Sequence, residues 1–76
     1  MTELSDKVLR LTTFYMGPAS AVFLERQTKN HLNGLKFSDL DRKDIPELAK
    51  WVLISGSLFI EKTKAEELSK KILTLA

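Results

Sequence analysis

Residues 45–60, IPELAKWVLISGSLFI, decide how the chain is read. A surface helix at 3.6 residues per turn carries one apolar stripe. Here Ile45, Leu48, Ala49, Val52, Gly56, Phe59 and Ile60 form one stripe at spacings of three and four, and Trp51, Ile54 and Leu58 form a second, with Leu53 between them. Only Glu47, Lys50, Ser55 and Ser57 break the ring, so most of the circumference is driven out of water. Such a helix is the central one of a bundle, or it turns one side to another chain. On this reading Ser55-Gly56-Ser57 lies mid-helix, where glycine costs about 1 kcal/mol relative to alanine. Small side chains there let a neighbouring helix approach, or else they mark a kink.

The flanking sequence supplies helices to cover these stripes. Asp44 caps the central helix, with Glu47 completing a D-x-x-E capping box and Pro46 in the first turn. Upstream, Leu35-Lys36-Phe37 reads as a linker whose apolar residues tuck onto the core, and Ser38–Asp41 as a single helical turn. Before it, Pro18–Leu32 reads as a helix with Gly17 as its cap, closed by Asn33-Gly34, where glycine takes a left-handed conformation without steric cost. Leu4, Val8, Leu11 and Tyr15 recur at spacings of four, three and four, which predicts a first helix over 3–16. Glu3 with Lys7 and Asp6 with Arg10 support its wet face. Downstream, Thr63-Lys64-Ala65-Glu66 reads as a second capping box opening a helix over 64–75, with Ala65, Leu68, Ile72 and Leu75 on one stripe. Glu66 with Lys70 and Glu67 with Lys71 pair across its turns. The expected fold is all-α: a compact four-helix domain with short connections, a single helical domain over 1–76.

Composition narrows the function. Seventy-six residues bury only about 60 % of the surface that the unfolded chain exposes, so a domain of this size gains from a disulfide, a metal or a second subunit. There is no cysteine and one histidine, which removes disulfides, thiolate metal sites and histidine cages. Self-association is the remaining aid. Twelve basic against ten acidic residues give a net charge of +2, too slight and too dispersed to imply nucleic acid or an anionic membrane. The longest apolar runs, 52–54 and 58–60, fall far short of the roughly 20 residues of a membrane span. The opening MTELSDKVLRL carries acids where a signal peptide carries positive charge and then an apolar run. These features predict a cytoplasmic protein without membrane contact.

Each candidate for chemistry has a plainer explanation. Asp39, Asp41, Asp44 and Glu47 form the one acidic cluster, but Arg42 and Lys43 interrupt it and a calcium loop's glycine is missing. Capping and solvation account for these acids. His31 stands without a spaced Ser or acid to suggest a triad. No enzyme activity, cofactor or metal is expected. A helix, a turn at Gly17 and a second helix resemble helix-turn-helix grammar, and Arg26, Gln27, Lys29 and Asn30 are residue types that reach phosphates and base edges. Recognition helices carry such groups near their N-terminal end, however, and here that end is Ala19, Ala21, Val22, Phe23 and Leu24. A small DNA-binding protein is therefore the alternative reading. The leading one is a protein-protein interaction or regulatory module. Its interface is Trp51, Ile54 and Leu58, and its first candidate partner is a second copy of itself.

Phe14-Tyr15-Met16-Gly17-Pro18-Ala19, followed by Val22, Phe23 and Arg26, is similar to a short helical module with a Y-I-G-P-I-A-like signature. That module occurs appended to bacterial serine/threonine kinases and response-type regulators. The likeness covers residues 8–75 in general layout and rests on this one signature, with Met16 in place of its first isoleucine. It implies an accessory interaction element of signalling proteins, not a catalytic one.

Overall fold

The computed structural model describes residues 2–76, and among them there are helices and turns but no strand. α1 (Glu3–Met16) starts at Thr2, whose Oγ1 accepts the Ser5 N–H at 3.0 Å while the Ser5 hydroxyl donates to the Thr2 carbonyl at 2.9 Å. The paired charges expected on its wet face form, Glu3 with Lys7 at 3.5 Å and Asp6 with Arg10 at 3.1 Å. At its end Gly17 takes φ 67°, a left-handed value open to a residue without Cβ. Pro18, which has no N–H to satisfy, then opens a 3₁₀ turn over Gly17–Ala19. α2 (Ser20–His31) follows directly, with the Ser20 hydroxyl on the Gly17 carbonyl at 2.8 Å.

Residues 3–31 are thus one bent helical path. The expected four separately connected helices are corrected to three: the bent α1–α2 unit, α3 (Ile45–Gly56) and α4 (Lys62–Leu73). Glycine absorbs the bend in one residue, and proline needs no loop to restart the helix. α2 closes as its sequence implies, with Asn33 and Gly34 at φ 56° and 74°.

The capping boxes lie elsewhere than expected. Asp41, not Asp44, is the cap: Asp41 Oδ1 accepts the Arg42 N–H at 2.8 Å and Asp44 Oδ2 accepts the Asp41 N–H at 3.0 Å. This box opens a 3₁₀ turn, Arg42–Asp44, that runs into α3, so Asp44 already has helical backbone angles, turns its carboxylate back to Asp41 and makes no side-chain cap bond to α3. Glu47 instead accepts the Trp51 indole N–H at 3.0 Å. In α4 the helix has begun before Thr63, since the Ala65 N–H already donates to the Glu61 carbonyl at 2.9 Å.

α3 and α4 make the most extensive helix-helix contact and run in opposite directions. Gly56 lies against Ala65, and the buried Ser69 hydroxyl donates to the Ala49 carbonyl at 2.8 Å. Ile45, Leu48, Ala49 and Val52 meet Ala65, Leu68 and Ile72 from α4, Val8 from α1 and Phe23 and Leu24 from α2. Phe37 and Leu40, from the connection before α3, close the core from below. Ser5, Thr12, Ser20 and Thr28 are also buried, and each hydroxyl bonds a carbonyl three or four residues earlier in the chain. Locally satisfied hydroxyls enter a core at little cost.

At the surface Tyr15 clasps α1 to α4, its hydroxyl donating to Glu67 Oε1 at 2.7 Å, while Lys71 pairs with Glu67 at 3.7 Å and lies over the Tyr15 ring at 5.2 Å. The Tyr15 hydrogen bond first, and the Lys64 and Lys71 charges after it, hold the Glu67 carboxyl below the usual 4.5. A lowered folded-state value means that the clasp contributes fully above the ordinary carboxylate range and is lost as pH falls through the folded value. Tyr15→Phe is therefore expected to lower stability at neutral pH and to match the parent in acid below the carboxylate range. Urea titrations at the two pH values check it. A difference of the same size at both would show that the hydroxyl acts through something other than the ionised Glu67.

Candidate protein-interaction face

α3 ends at Gly56, four residues before the end of the apolar run. The chain leaves it through a tight turn in which the Leu58 N–H donates to the Ser55 carbonyl at 3.1 Å and the Phe59 and Ile60 N–H groups to Gly56 at 2.9 and 3.0 Å. The Ser57 hydroxyl donates to the Leu53 carbonyl at 2.6 Å, beside the helical bond from its own N–H. The consequence reverses one expectation. Phe59 leaves the buried stripe and is 70 % exposed, beside Leu58 at 83 %.

These two residues form a ridge that faces α2 across a groove of about 590 Å³. Val22, Phe23 and Arg26 of α2, with Ala19 just before it, make one wall, Leu58, Phe59 and Ile60 the opposite wall, and Tyr15 and Met16 also line it. The walls meet where Phe59 packs edge-to-face on the buried Phe23, centroids 5.7 Å apart. Val22, 59 % exposed, continues the apolar surface on the α2 side. Polar groups gather at one end: Gln27, Asn30, His31 and Ser55. The Gln27 side chain is only 7 % exposed, and its Oε1 has no hydrogen-bond partner.

The three residues assigned to the interface from sequence separate into two places. Leu58 belongs to the groove. Trp51 and Ile54 do not line it, although His31 connects the two regions because its ring stacks on Trp51 at 3.7 Å and 4°. That stack and the bond from Nε1 to Glu47 leave Trp51 half-buried, with one ring face covered and its donor satisfied. Ile54 is 49 % exposed. Val22 and Phe59 were not assigned to the interface. The signal that could have found them is Ser55-Gly56-Ser57, read as a helix stop instead of a helix interior.

Of the residues considered for nucleic acid, Arg26, Lys29 and Asn30 are exposed and Gln27 is buried, so the four do not share one exposed strip. Arg26 and Asn30 line the groove. A second groove, of about 610 Å³, lies between α1 and α4 and is lined by Leu11, Phe14 and Leu75 with Lys7, Arg10 and Lys71. Its three cations are already matched by Glu3, Asp6 and Glu67. No group of three or more His, Asp or Glu among the described residues is placed to hold a metal, and no helix among them is long and apolar enough to cross a membrane. No family model, curated protein or solved structure matches the chain.

Proposed function

We propose that this protein is a small helical interaction module that binds another protein, a second copy of itself first, through the groove between α2 and the α3–α4 turn. One observation carries the reading: Leu58, Phe59 and Val22 stand exposed together around one apolar groove, whereas the other exposed large apolar side chains, Phe14, Ile54 and Leu73, do not line it. Clustered aromatic and aliphatic exposure of this kind marks interaction surfaces, whereas scattered apolar residues do not. A module of this type fits a regulatory accessory role, as the resemblance at Tyr15–Ala19 implies. The interface is moved from the Trp51 side of α3 toward the turn, with Leu58 common to both assignments. The nucleic-acid alternative loses support from the burial of Gln27.

Sedimentation tests the proposal. The variant is Leu58→Ser with Phe59→Ser. Leu58→Ser changes an exposed residue worth within about 0.5 kcal/mol to folding, and Phe59→Ser also gives up the edge-to-face contact with Phe23, worth about 0.5–1.5 kcal/mol, so circular dichroism is used to confirm that the variant keeps parental helicity. Its expected mass is that of the 8.6 kDa monomer at concentrations where the parent sediments as a larger species. A parent that remains monomeric up to about 1 mM, where association is worth only about 4 kcal/mol, would overturn self-association.

A further inference from the structure

We draw no further inference here: the strongest candidate, the apolar groove between α2 and the α3–α4 turn with the buried Gln27 side chain at its polar end, belongs to the interaction face already described, and nothing in the structure shows what covers it.

Discussion

Leu48→Ala is expected to destabilise the protein by about 2–5 kcal/mol, while Leu58→Ala, ten positions further along the same apolar run, costs within about 0.5 kcal/mol. Leu48 is completely buried at the centre of the core formed with Val8, Leu24, Phe37, Val52, Leu68 and Ile72. Truncating it removes transfer energy and leaves a cavity that its close-packed neighbours fill only in part. Leu58 has almost nothing around it to lose. At about 0.05–0.15 kcal/mol per residue, a chain of 76 residues has roughly 4–11 kcal/mol of stability in all, so the first change consumes a large part of it. For a denaturant slope of about 1 kcal/mol per molar, the urea midpoint of Leu48→Ala falls by about 2 M or more. That of Leu58→Ala stays within about 0.5 M. The measurement is a urea titration followed by far-ultraviolet circular dichroism at concentrations low enough for both to be monomeric. Equal costs would mean that the two leucines share an environment, which would displace the end of α3 from Gly56.

The contrast between these leucines also marks where the sequence was legible. Periodicity at 3.6 residues identified Ile45, Leu48, Ala49 and Val52 as one buried stripe, and Val8, Leu68 and Ile72 as its partners, because burial of apolar side chains is what generates that spacing. A left-handed position was legible too, at Gly34, whereas Gly17, expected only as a helix cap, takes a positive φ as well. What the pattern could not give was the point at which α3 stops. An apolar run continues the helical spacing through Phe59 and Ile60 whether or not the backbone does. The stop is written in the local hydrogen bonds of the turn, where the Phe59 and Ile60 N–H groups both donate to the Gly56 carbonyl, and these bonds have no periodicity. Moving the stop by four residues takes Phe59 from the core to the surface and creates the groove.

The caps show the same limit. Asp41, Asp44 and Glu47 are three acids at spacings of three, so two overlapping boxes are compatible with the sequence, and only the extended backbone of Asp41 at ψ 162° selects the first. Buried hydroxyls were invisible for a related reason. Thr12 and Thr28 look polar in a hydropathy pattern, yet each satisfies its own hydroxyl on the helix it belongs to and is then as buriable as valine. The surroundings of Trp51 were invisible as well: an aromatic on an outer stripe suggested a contact surface, and the periodicity gave no sign that His31, twenty residues away, stacks on it.

Gly56→Val is the second substitution expected to have a large effect, a loss of about 1–3 kcal/mol from overpacking. Gly56 is buried and its φ is not left-handed, so its tolerance is decided by space. A Cβ at this position would lie 3.1 Å from Met16 Cε, 3.7 Å from Ala65 Cβ and 3.9 Å from Phe23 Cζ. The first of these is the end of a flexible side chain, which can withdraw by a few tenths of an ångström. Gly56→Ala is accordingly expected within about 1 kcal/mol of the parent, its gain in helix propensity offsetting the displaced methyl. The two further methyls of valine cannot be accommodated in this way, because Ala65 belongs to the tightly packed α4 and Phe23 is held in the core. Urea titration of the three proteins orders them as parent near alanine, then valine. The same change should reach the interaction face, since Met16 and Phe23 also line the groove. Whatever fraction of Gly56→Val remains folded is expected to self-associate more weakly than the parent, while Gly56→Ala associates nearly as well. Unimpaired association of a folded Gly56→Val protein would separate the groove from the α3–α4 contact, and would place the binding energy on the Leu58 ridge alone.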